Sequence, residues 1–226
     1  MIFSTFKRLG IVAALCCVFN AQATTPEQAP QPAPRNSQLQ TILSITTKAP
    51  IGELNSATAQ LKSLFEQYPD YRVAKMFYGY GQLFIATDFL AKKNYLRAAE
   101  ASKLGFFYID EAAETDEKDW RMRYLRARMD AFVPATNGRC VVALKDTTYL
   151  QQDAQVPTAL QPMIMLMSAR ALATCQKKPE AEAAWATLKK QGDEGQRLAQ
   201  LRDKPAPEWS AEELSNLIHP LAEAPL

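Results

Sequence analysis

Histidine is nearly missing from this chain, with His219 the single example in 226 residues. Cysteine is almost as scarce. Of four, Cys16 and Cys17 fall in an apolar N-terminal run, leaving Cys140 and Cys175 for the rest of the chain. A zinc or copper site therefore lacks its usual ligands, and no Ser-His-Asp or Cys-His nucleophile system can be assembled. His219, next to Pro220, reads as a surface residue at a helix end. The eight glycines are scattered and form no phosphate-cradling loop. No convincing period-2 strand bounded by hairpin turns is found, and the best β-branched pair, Val141-Val142, sits inside a helical stretch. These absences predict no enzyme, no metal and no cofactor.

What is present begins with an address label. Lys7 and Arg8 form a basic start, Leu9 to Phe19 an apolar run of about eleven residues, and Ala21-Gln22-Ala23 a small-residue cleavage site. The run is too short to span a bilayer, which takes roughly twenty residues. Cys16 follows Leu15 rather than the small residue a lipoprotein signal requires. The expectation is a signal peptide over 1–23, cleaved after Ala23, export to the periplasm, and no transmembrane segment in the mature chain. Cleavage removes Lys7 and Arg8 and no acids, so the formal charge falls from +2 to 24 bases against 24 acids. A neutral chain has no electrostatic footprint for the phosphate backbone, which argues against nucleic-acid binding.

Residues 24–38, with Pro26, Pro30, Pro32 and Pro34, read as an extended leader, and 39–226 as one helical-repeat domain. Helical periodicity predicts helices at roughly 37–48, 52–67, 72–92, 95–114, 117–132, 139–151, 159–176, 179–191 and 210–218, with a short one possible between 193 and 204. Turn residues such as Pro50-Ile51-Gly52, Tyr68-Pro69-Asp70, Lys93-Asn94 and Lys178-Pro179 separate them. Ser210 and Glu213 form a capping box. Helix 117–132 is apolar on two opposed faces: Met122, Leu125, Met129 and Phe132 on one, Trp120, Tyr124, Ala127 and Ala131 on the other. Such a helix packs between two layers, with its charges on the edges between them. Helix 72–92 is apolar around most of its circumference, and Gly79 and Gly81 within it predict close backbone approaches. Met163, Met165 and Met167 read as core.

Small and large residues recur at helix-pair offsets. Ala57, Leu61, Leu64 and Pro69 form one set; Gly105, Ile109 and Ala112, with Glu117 in place of proline, form a second. Ala169 and Leu172, then Ala181, Trp185 and Leu188, complete the best unit. Over roughly residues 52–192 this resembles degenerate tetratricopeptide repeats of exported bacterial proteins. It departs from them in lacking a strict 34-residue period and in its long helix 95–114. The resemblance implies an all-α fold of antiparallel helix pairs stacked as a tetratricopeptide-like α-solenoid. It also implies a non-catalytic periplasmic scaffold for an envelope protein or peptide. The alternative is a transporter-associated accessory protein holding a small apolar ligand, which an enclosed apolar cavity would favour.

Two site expectations follow. Asp110, Glu111, Glu114, Asp116, Glu117 and Asp119 precede Arg121, Arg123, Arg126 and Arg128, and this arrangement reads as solvated ion pairs between two helices, each contributing little. If the molecule binds peptides, the first helices of the repeat pairs would line the site through their exposed strips. Those strips carry Lys75 and Gln82 on helix 72–92, and Arg121 and Arg128 on helix 117–132. The two surviving cysteines predict a Cys140–Cys175 disulfide, since antiparallel packing of 139–151 on 159–176 brings their ends within about two residues of register.

Overall fold

The computed structural model describes residues 35–224, so the expected signal peptide and the leader up to residue 34 lie outside the described residues. Nine helices run from residue 35 to 199. They are α1 (Arg35–Leu43), α2 (Ile51–Gln67), α3 (Arg72–Ala91), α4 (Tyr95–Glu114), α5 (Trp120–Asp130), α6 (Cys140–Gln152), α7 (Gln161–Thr174), α8 (Lys178–Leu188) and α9 (Gly192–Ala199). A last helical segment follows an extended stretch at 205–210. It comprises one turn at Ala211–Glu213, a π-helical run at Leu214–Ile218 and a closing turn at His219–Ala222. No strand occurs among the described residues.

The expected helices are all present, with revised ends. α1 stops at Leu43 instead of running to 48 because Ser44 turns its hydroxyl back onto the Thr41 carbonyl (2.7 Å) and Ile45 N–H bonds to Ile42 O in a tighter turn. α5 starts at Trp120, not 117, because the Asp119 carboxylate caps the Arg121 N–H at 3.0 Å. Such a cap satisfies a donor the first turn leaves free.

Neighbours along the chain pack as antiparallel hairpins, chiefly α2 on α3, α3 on α4, α5 on α6, α6 on α7 and α7 on α8. In α3–α4 the ends are matched by Lys75 meeting Glu111, and the middle by Gly79 against Gly105 and Ile109. A Cβ at Gly79 would lie 2.6 Å from Ile109 Cγ1 and 2.7 Å from the Gly105 carbonyl. One at Gly81 would lie 2.2 Å from the Thr58 hydroxyl of α2. The two glycines face opposite neighbours, so α3 is clasped between α2 and α4, as its near-continuous apolar surface predicts.

The α3–α4 and α7–α8 hairpins close with the same turn. Lys93 (φ 58°) and Gln176 (φ 62°) take the left-handed conformation just past the helix end. The next amide reaches back to the helix in each case, Asn94 N–H to Phe89 O and Lys177 N–H to Leu172 O. These bonds satisfy carbonyls that the helix end would otherwise leave unpaired. Cys140, at the start of α6, and Cys175, just past α7, form the expected disulfide, with Cα atoms 5.5 Å apart. The core runs through all the hairpins. It includes Leu61, Phe77, Ile109, Tyr124, Leu125, Leu150, Ile164 and Met167, and the start of α7 with its methionines joins it.

Candidate functional site

α5 lies in the interior, contacting α3, α4, α6 and α7. Ten of its eleven residues are buried, among them Arg123, Arg126, Arg128 and Asp130. Three buried arginines on one helix demand anions, because an unpaired buried charge costs several kcal/mol. The structure supplies them on two faces.

On the α6 side, Arg123 and Arg126 converge on one carboxylate. Arg123 Nη1 donates to Asp146 Oδ1 at 2.8 Å; Arg126 donates through Nε at 2.7 Å and Nη2 at 3.0 Å. Asp146 is fully buried. The Arg123 guanidinium also stacks 4.4 Å from the Tyr149 ring centre. Arg126 extends to Glu114 at 3.1 Å and Asp110 at 3.4 Å. Arg139, beside Cys140, grips both Asp110 and Asp130 through paired bonds of 2.6–2.8 Å. Burial opposes the charged form of Arg126, yet the hydrogen bonds and charge of Asp146 outweigh it, so its pKa moves up. This bidentate, charge-assisted bonding is the strongest that side chains offer.

The α3 side of α5 is a different surface. Tyr124 and Arg128 of α5, with Tyr71 and Phe77 at or on α3, face the chain's own C-terminal segment. Arg128 Nε donates to Glu213 at 2.7 Å, its Nη2 to the Pro207 carbonyl at 2.9 Å, and its plane lies 3.8 Å from the Trp209 ring centre. Trp209 packs 6.0 Å from Phe77, centre to centre. The Tyr124 hydroxyl donates to Glu213 at 2.9 Å, and Tyr71 donates to the Ala222 carbonyl at 3.2 Å. Glu213 also receives the Ser210 amide at 2.9 Å, and the Glu213 amide donates to the Ser210 hydroxyl, closing the expected capping box. Burial, then the Glu213 charge, pushes the Tyr124 hydroxyl well up, so it remains a donor.

The four residues expected on exposed strips do not share one surface. Lys75 turns toward α4, bonded to Glu111 at 2.6 Å and 5.9 Å from the Phe65 ring centre. Gln82 is half-buried beside Tyr78. Arg121 is half-buried with its guanidinium 5.2 Å from the Trp120 ring, and its Nε has no partner among the described residues. Arg128 corrects the expectation of exposure: its side chain is 6 % exposed, because Glu213 and the backbone of 207–208 close over it. The expectation of a solvated acid–arginine cluster is also corrected. Glu114 and Glu117 are exposed as expected, but Arg123, Arg126 and Arg128 are anchored to buried Asp146 and Glu213.

Asp146, Arg139 and the anchoring role of Glu213 escaped the sequence reading. A signal for Asp146 existed, since it falls in phase with Ala143, Thr147 and Leu150, the buried face of α6. An acid in that row needs an internal cation. Glu213 carried no such signal beyond its capping pattern.

His219 is exposed, and no group of three or more metal-ligating side chains occurs among the described residues. No helix among them is long and apolar enough to cross a membrane. One surface hollow of about 510 Å³ is lined by Lys189, Gln196, Ala199 and Gln200. Another, of about 320 Å³, lies where Leu160, Pro162 and Met163 meet Glu194, Ser210 and Glu213. The first is lined mostly by polar side chains, the second by apolar side chains on one side and polar ones on the other. Comparison with protein-family models, with curated proteins and with solved structures finds no match.

Proposed function

We propose that this chain is a non-catalytic, peptide-binding scaffold of the cell envelope. In this reading it is exported with cleavage after Ala23, and its helix pairs stack in a tetratricopeptide-like manner. The repeat reading draws support from the shared turn of α3–α4 and α7–α8. It is also supported by the burial of most of the small and large positions that carry the resemblance, Ala57, Leu61, Ile109, Ala112, Ala169, Ala181, Trp185 and Leu188, with Leu64 and Leu172 half-buried.

One observation carries the functional reading. The face made by α3 and α5 holds an extended stretch of polypeptide, 205–210, by the contacts a peptide site uses. An arginine donates to main-chain carbonyls, a phenylalanine ring and that arginine pack on a tryptophan, and an arginine–tyrosine pair takes a carboxylate. Main-chain bonds give affinity to any extended segment, while ring and carboxylate pockets give selectivity. The ligand class is thus an extended segment with an aromatic residue followed a few positions later by an acid. The resident segment is its intramolecular stand-in.

The test is exchange. A protease site inserted after Asp203, in the exposed turn before the extended stretch, allows the segment to be cut while the rest of the chain stays whole. A fluorescent peptide of residues 205–222 should then bind the cleaved protein saturably and not the uncut one, and peptides with Trp209→Ala or Glu213→Gln should compete poorly. Cleaved protein that neither exchanges its segment nor discriminates among these peptides would show the face to be ordinary core.

A further inference from the structure

The outward side of α4 presents a second surface, independent of the first. Its inner side, Ala98, Ala101, Gly105, Ile109 and Ala112, is buried. Outside, Leu96 is 72 % exposed, Phe107 58 % and Leu104 38 %, with Tyr95 and Leu90 adding apolar surface at the adjoining turn. At 100° per residue Leu96, Glu100, Lys103 and Phe107 fall in one row, at the spacing of a helix–helix seam. Ala99 and Leu104 flank that row on either side.

The row is self-complementary. A two-fold axis passing between Ala101 and Ser102 sets Leu96 against Phe107 of a second copy at each end of the row. The same axis sets Glu100 against Lys103 of that copy. Glu100 and Lys103 are both exposed, and neither joins an ion pair among the described residues. A partner of another kind gives no reason for the apolar and the charged positions both to be matched about one point. A closed two-fold contact requires that match, because each surface must recognise itself.

We propose that this protein pairs with a second copy of itself through antiparallel packing of α4 on α4, with two Glu100–Lys103 pairs at the centre and Leu96–Phe107 contacts at both ends. One helix face per protomer is at the small end of interface sizes, so the dimer is a weak one, with a dissociation constant in roughly the micromolar range.

Sedimentation velocity of the mature protein over a concentration series should show a monomer–dimer equilibrium. Leu96→Glu should weaken it at least tenfold while leaving the thermal unfolding curve in place, since Leu96 is exposed. Glu100→Lys and Lys103→Glu should each weaken it about tenfold by setting like charges opposite each other. The decisive arm mixes these two variants. Each self-associates poorly, yet the Glu100→Lys copy is basic at both central positions and the Lys103→Glu copy acidic at both. The two should therefore pair with each other, and the mixture should recover near-wild-type association. A wild-type protein that stays monomeric up to hundreds of micromolar overturns the proposal. So does one whose association ignores these substitutions, or a mixture no better than its components.

Discussion

Arg128 and Glu213 meet in the interior, where neither has water to fall back on. Removing one leaves the other buried and unpaired, a cost of about 3–5 kcal/mol. Arg128→Met should therefore destabilise strongly in urea unfolding, and Arg128→Met with Glu213→Leu should recover much of the loss. If the double variant is as unstable as the sum of the singles, the two residues do not act as a pair. Arg121, half-buried and without an ion pair among the described residues, provides the contrast: Arg121→Ala should cost under about 1 kcal/mol. Asp130 has a pH signature. Burial pushes its carboxyl up to about 7, against the bonds and charge of Arg139, whereas an unfolded aspartate titrates near 3.9. Between those values the folded chain holds the proton more tightly. The contribution is therefore fully present below about pH 4 and is lost as the pH rises through about 7. Asp130→Asn should flatten that fall; equal pH slopes for variant and parent between pH 5 and 8 would exclude it.

At the scale of elements, glycine placement separates contact from conformation. Gly79→Ala adds helix propensity worth about 1 kcal/mol, but the new methyl meets Ile109 and the Gly105 carbonyl at 2.6–2.7 Å. Backbone cannot move aside cheaply, so the net effect should be a loss of about 1–3 kcal/mol. At Gln176 the logic reverses. Its φ of 62° is one a side chain tolerates at a cost of about 1 kcal/mol, so Gln176→Gly should stabilise slightly. Thermal melts of both variants check the two signs, and stabilisation by Gly79→Ala would mean the α3–α4 approach is looser than described. Helix positions, turn residues and the clasped state of α3 were legible because each depends on residues within a turn or two. The termini of α1 and α5 were less so, because single side chains, Ser44 and Asp119, end or begin them.

For the molecule as a whole, the disulfide closes a loop of 35 residues' separation, which chain-entropy reasoning values at about 3–4 kcal/mol. Intact-mass analysis of the protein from a periplasmic fraction should give a chain starting at Thr24 and two hydrogens lighter than the reduced form. Reduction should lower the urea midpoint accordingly. Full-length chain in the cytoplasm would overturn the export proposal, and two titratable thiols in native protein would contradict the bridge.

The amino-acid sequence alone determined the all-helical class, nearly every helix, the antiparallel order of neighbours and the cysteine pairing. These rest on periodicity, turn chemistry and contacts across a single hairpin. Only the tertiary structure decided which charges are interior. Arg126 finds Asp146 at a separation of 20 residues and Arg128 finds Glu213 at 85. On a helix with two apolar faces, an arginine at the edge looks the same whether it meets water or a buried carboxylate. Burial of a charge is set by the partner that compensates it, and that partner comes from a distant part of the chain.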